Sequence, residues 1–216
     1  TAAARSLAVD ASILKDTAVG KVDVLFTTGV DVDNAIAMSA ADLLYDPTRG
    51  VLWATFADPL DHPLVPSRKS LAAIDPVTGI VSDPIPLSSA ACPGSLALSS
   101  NGRYLYVGLI DATEVQRFDL TAAGYPSIRI QLGTNRLGLQ NIAADIEVLE
   151  GDGTSFMAVC RGSVQVYDGT VMRPNITDVN SVRKVLRSDT PGVFIGYTSV
   201  NYTSDWVFRM KRLAVT

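Results

Sequence analysis

Apolar residues along this chain fall in short runs or in strict alternation, with turn residues between them, and helical spacing is almost absent. The run "GSLALSS" (Gly94–Ser100) is followed by "NGR" and then "YLYVGLI" (Tyr104–Ile110). Asn-Gly tolerates the positive φ that a tight hairpin needs, so these runs read as two paired strands. "EVQRFDL" (Glu114–Leu120) and "SIRIQLG" follow, and in the latter Ile128, Ile130 and Leu132 alternate with polar residues as an outer, half-exposed strand does. These are four consecutive antiparallel strands.

The four beats recur. Upstream stand "DLLYD", "VLWATFA", "KSLAAID" and "IVSDPIPL"; downstream stand "DIEVLE", "SFMAVCRG", "SVQVYDG" and a poorly defined fourth beat near "VMRPNITDVN". A partial unit closes the chain with "VRKVLRS", "GVFIGYTS" and "WVFRMKRLAV". The third beat ends on an acid three times, at Asp75, Asp119 and Asp168, where a carboxylate closes the next turn by accepting backbone N–H groups.

Four short strands repeating every ~45–50 residues are the signature of a β-propeller blade. One blade cannot bury both faces of its sheet, whereas blades stacked around an axis can. The expected fold is therefore all-β, a propeller of about four four-stranded antiparallel blades. Residues 40–216 hold the blades. Residues 1–39 hold N-terminal strands, among which "SILKDTAV" is a candidate blade-closing strand. The start in "TAAARSLAVD", without Met or signal peptide, reads as a processed or excised segment, and the reading favours part of a longer repeat array.

Composition narrows the function. The 216 residues are 47% hydrophobic and 19% charged, sufficient for a large core. A net charge of -4 and the lack of a basic, aromatic-interleaved stretch argue against nucleic acid as a partner. No apolar run has the ~20 residues of a membrane helix. One histidine, His62, and two cysteines without CxxC spacing exclude a His/Cys metal site. Cys92 and Cys160 stand as either two buried thiols or one long-range disulfide.

Candidate site residues gather on one face. In a blade, the loop entering the first strand and the loop between the second and third strands open on the same side. Asp42 and Asp145 stand at first-strand entries, near the axis. They tie blades together through N–H groups, form an acid pair, or hold Ca²⁺, which takes several oxygen ligands. The second unit has Gly94-Ser95 where the others have Ala-Asp, so no full carboxylate ring exists. The loop "ADPLDHPLVPSRK" supplies Asp58, Asp61, His62, Arg68 and Lys69, and Asp111 and Arg161 occupy the same loop in later units. Asn175 and Asn201 lie in N-x-Thr sequons and are candidate glycosylation sites. No G-x-S-x-G elbow, phosphate loop or dinucleotide fingerprint occurs.

The stretch "PGSLALSSNGRYLYVGLIDATEVQRFDL" resembles the YVTN and lactonase-like propeller repeats of secreted bacterial and archaeal proteins, most closely from Pro93 to Asp119. "AADIEVLEG" and "VQVYDGTVMRPN" are similar to phrases of large secreted bacterial propeller proteins. The resemblance covers residues 40–215 and implies a propeller in a secreted or cell-surface setting, with no catalytic set that transfers residue by residue. The expected role is a non-enzymatic binding or structural scaffold for protein or glycan partners, without cofactor. Two alternatives are a lactonase-like or other hydrolase with an acidic, metal-assisted central channel, and a self-assembling surface or appendage protein whose partners are copies of itself.

Overall fold

The computed structural model describes residues 40–56, 69–87, 92–110, 112–135, 138–160, 163–174, 182–188, 190–202 and 205–215. The chain divides into two units, Thr1–Ala35 and Ile36–Thr216, and every described residue belongs to the second. Asp58, Asp61, His62, Arg68, Asp111, Arg161 and Asn175 lie outside the described residues, as does the proposed closing strand "SILKDTAV".

The first blade comprises β1 (Ala40–Asp46), β2 (Val51–Phe56), β3 (Ser70–Ile74) and β4 (Ile85–Pro86). The second comprises β5 (Pro93–Leu98), β6 (Tyr104–Leu109), β7 (Glu114–Asp119) and β8 (Ser127–Gln131). The third comprises β9 (Asp145–Val148), β10 (Ser155–Cys160), β11 (Ser163–Asp168) and β12 (Val171–Met172). The fourth has three described strands, β13 (Val182–Arg187), β14 (Val193–Tyr202) and β15 (Asp205–Ala214). Each sheet is a meander in which every strand pairs with its successor, and all pairs are antiparallel. No helix occurs among the described residues.

The alternation in each strand decides which seam a side chain enters. In β2, Trp53 points toward the second blade, where it joins Leu71 of β3, Leu96 of β5, Leu105 and Val107 of β6 and Phe118 of β7 in one buried cluster. Between the second and third blades, Tyr106, Ile130 and Leu132 pack with Ile146, Phe156 and Tyr167. Phe156 stacks on Tyr167 with ring centroids 4.8 Å apart. Met157, Val159 and Val164 meet Val182, Val185 and Phe194 at the next seam. Side chains of this size remove on the order of 1.5–3 kcal/mol each of hydrophobic exposure, so the seams carry the cohesion of the array.

The hairpin face adds polar locks. Arg49, in the β1–β2 turn, donates from Nη1 to Asp46 Oδ2 and to Gly102 O, both at 2.8 Å, and from Nη2 to Leu120 O at 3.0 Å. The Tyr106 hydroxyl donates to Gly153 O at 2.7 Å across the next seam. Arg187 of β13 donates to Glu147 Oε1 and Val148 O of β9.

Of the three third-strand acids, Asp75 accepts Val77 N–H and Thr78 N–H, and Asp119 accepts Thr121 N–H. Asp168 instead takes the Arg173 guanidinium and the Ser155 hydroxyl, because β11 runs directly into the short β12. In the outer strand β8 Ile130 is buried while Ile128 is 41% exposed, and Leu132, just past the strand, is buried.

The disulfide alternative gives way to two free thiols. Cys160 is buried at the end of β10 beside Gln165, whereas Cys92 lies just before β5 and accepts from Lys69 Nζ at 3.0 Å. The two sulfurs therefore sit against different partners in different blades.

Candidate functional site at the axial ring

The entry end of each innermost strand carries one residue at a shared register position. Counting four residues back from the end of the strand ladder, at Asp46, Ser99, Leu149 and Ser188, reaches Asp42, Ser95, Asp145 and Lys184. An extra residue precedes this position in three blades: the register slips between Ala40 and Asp42, between Pro93 and Leu96, and between Val182 and Lys184. In the third blade Ala144 N–H bonds Val159 O, while Asp145 is itself the pairing partner of Val159, so two residues again oppose one. Such a bulge bends the strand and re-aims its side chain, and Asp42 and Asp145 turn toward a neighbouring blade.

Asp42 Oδ2 accepts the N–H of Leu96, the residue after the ring position in the second blade, at 2.7 Å. Asp145 Oδ2 accepts the N–H of Val185, the matching residue of the fourth blade, at 2.8 Å. Asp42 also accepts its own neighbour Leu43 N–H through Oδ1 at 2.9 Å. Ser95 is too short for this reach: its hydroxyl oxygen is buried without a hydrogen-bond partner, facing Gly108 of β6.

The ring is electrostatically mixed. Burial pushes the Asp145 carboxyl above its ordinary value; the Val185 N–H bond and the Lys184 charge pull it back in part, and the Asp42 charge adds a small push upward. Asp145 thus stands near enough to both Asp42 and Lys184 to feel their charges. Glu147, further along β9, is likewise raised by burial against the pull of Arg187. Among the described residues no three His, Cys, Asp or Glu side chains cluster as a metal site would require. The two ring acids each have an oxygen engaged by a neighbouring blade, and an ammonium stands in the same ring. This donor set does not match the several free oxygens that Ca²⁺ takes.

Of the expected face-loop residues, Lys69 is described, next to Cys92 at the first seam. Asn201 lies within β14, opposite Trp206 of β15. Lys184 had no place in the sequence reading because "VRKV" lacks the Ala-Asp phrase, although the spacing to the hairpin would have located it.

No family model matches the chain, and no curated protein matches it. Solved structures do. Hydrazine synthase of Kuenenia stuttgartiensis aligns over 88% of this chain and 52% of its own, at 14% identity and a TM-score of 0.58. The WD40 repeats of RRP9 align over 76% and 46%, at 12% identity and 0.55. The periplasmic gluconolactonase of Pseudomonas aeruginosa aligns over 82% and 57%, at 13% identity and 0.55. These likenesses establish the β-propeller fold. The chain spans about half the length of each of these three.

Proposed function

We propose that this chain is a rigid, non-enzymatic propeller scaffold that presents its entry-face loops to protein or glycan partners in a secreted or cell-surface setting. The observation that carries the reading is the use of the axial acids. Asp42 and Asp145 each bind a backbone N–H of the adjoining blade, which makes them joints of the array and leaves the ring a mixture of acid, hydroxyl and ammonium. A hydrolase needs groups that converge on a reacting atom, and the two ring acids turn to their neighbouring blades. Both WD40 and gluconolactonase propellers share the fold, so the fold itself favours neither role. The YVTN-like phrase from Pro93 to Asp119 supports the secreted setting.

A direct test separates the readings. The scaffold should hydrolyse lactones at the buffer rate with or without added Ca²⁺, and its melting temperature should not respond to EDTA. Replacing Asp58, Asp61, His62 and Arg68 together by alanine should abolish capture of protein or glycan partners while leaving the melting temperature within a few degrees. A lactonase activity lost on Asp42→Asn or Asp145→Asn would overturn the scaffold reading.

A further inference from the structure

The seam between the second and third blades buries a polar row under its entry-face end. Ser163 and Gln165 alternate onto one face of β11, and Tyr167 continues the row. Asn141, on the connection from the second blade, meets them from the other side: its Nδ2 donates to Gln165 Oε1 at 3.1 Å and to Leu132 O at 2.9 Å. Gln165 Oε1 is also approached by the Tyr167 hydroxyl at 2.5 Å and by Cys160 Sγ at 4.0 Å. Ser163, Asn141 and Gln165 are all at least 97% buried. Yet Gln165 Nε2, Asn141 Oδ1 and Ser163 Oγ have no hydrogen-bond partner.

Turning the amides over does not relieve this. The single Tyr167 hydroxyl proton serves either Leu132 O, at 2.8 Å, or Gln165 Oε1, while Asn141 Nδ2 donates to Leu132 O, so an inverted Asn141 would set Oδ1 against another oxygen. With Asn141 so fixed, an inverted Gln165 would set two NH₂ groups against each other. Every arrangement leaves buried polar atoms that destabilise the fold if unmet. The same register position is polar in every four-stranded blade. Ser70, Glu114 and Ser163 all open the third strand and all are buried. Glu114 is met by Gln131 and Arg129, whereas the Ser70 and Ser163 hydroxyls have no hydrogen-bond partner.

We propose that this seam binds an internal water molecule that accepts from Gln165 Nε2 and donates to Asn141 Oδ1 and Ser163 Oγ. A buried water needs two to four polar partners, and these three supply one donor, one acceptor and a hydroxyl that serves as either. The water joins the chain leaving the second blade to the third strand of the next, and leaves only when the seam opens.

Oxygen-17 magnetic relaxation dispersion on the whole chain tests this, because it registers long-lived waters by their own oxygen. Ser163→Val, which removes one ligand and fills its space, should reduce the dispersion amplitude by about one water with the fold retained. An amplitude unchanged by Ser163→Val in folded protein overturns the proposal. Should that variant not fold, a crystal structure of the native chain decides the matter: density within about 3.2 Å of both Gln165 Nε2 and Asn141 Oδ1 supports the water, and a dry seam with these atoms bonded to protein groups overturns it.

Discussion

The carboxylate of Asp42, in the innermost strand of the first blade, accepts the backbone N–H of Leu96, in the innermost strand of the second, at 2.7 Å. Asp145 repeats the bond to Val185 two blades on. The latch requires an acceptor of the right length and no particular charge.

Asp145 therefore separates hydrogen bonding from ionisation. Its carboxyl is raised, chiefly by burial. A raised acid contributes stability that is fully present below the unfolded value of 3.8 and is lost as pH rises through the folded value. Asp145→Asn keeps the acceptor and removes this loss. Its stability near pH 7 should equal or exceed the native value, and its decline above pH ~4 should flatten. Asp145→Ala loses the acceptor and should cost about 1–2 kcal/mol by urea unfolding at pH 3, and less near pH 7, where it also removes the ionisation loss. Equal losses in the two variants would count against the latch.

Ser95 occupies the latch position with too short a side chain. The residue matching Leu96 and Val185 in the third blade is Ile146, whose N–H is already held by the Asp145 carboxylate. Gly108, opposite Ser95, is closely met by Ser95 Oγ, Ile146 Cδ1 and Ala143 Cβ. Ser95→Asn therefore finds neither a free donor nor space, and should cost about 1–3 kcal/mol, read as a lower denaturant midpoint with unchanged slope. A higher midpoint would show that the longer side chain completes a latch to the third blade.

Arg49 locks the first two blades at their hairpin face. The Asp46 side chain is fully buried and receives Arg49 Nη1 and Trp53 Nε1. Burial pushes its carboxyl upward, but the hydrogen bonds from Arg49 and Trp53 outweigh it and the net shift is downward. A lowered acid stabilises above the unfolded value of 3.8, and that stability is lost as pH falls through the folded value. Arg49→Ala should cost about 2–3 kcal/mol near neutrality, since it strands a buried charge and two carbonyls. The loss should shrink in acid, as chemical denaturation at pH 7 and pH 3 would show.

Gly153 has φ +81°, and a Cβ there would come within 2.6 Å of the Ser99 Cβ across the second seam. Gly124 has φ +75° with open space around it. Gly124→Ala should cost the backbone strain alone, about 1 kcal/mol. Gly153→Ala should cost at least 2 kcal/mol more, because it also wedges the blades apart. Thermal unfolding of the two variants makes the comparison, and equal losses would refute the wedge.

Burial pushes the Cys160 thiol up to about 12, while Cys92 is half-buried. A thiol reagent should therefore label Cys92 first in native protein, with Cys160 reacting only after unfolding. Mass spectrometry of native, unreduced protein should find two modifiable thiols. An intact disulfide there would contradict the seam packing around Cys160.

The local pattern was sufficient for the strands, because hydrophobic alternation and turn residues act over a few positions. Asn101-Gly102 predicted the β5–β6 hairpin, and the acids at Asp75 and Asp119 predicted the turns they close. The four-beat repeat also implied blades, since one sheet cannot bury two faces. The ring needed the tertiary structure. A bulge shifts which residue faces the axis, and Lys184 came to share a ring with Asp42, Ser95 and Asp145 only through that shift. The choice between axial chemistry and blade joints was likewise open in the phrase "AAD". It turned on Leu96 and Val185, whose N–H groups lie 54 and 40 residues away in sequence and meet the acids only when blades stack. Orphaned polar atoms such as Gln165 Nε2 were invisible for the same reason: the partners of a buried group are set by what folds over it.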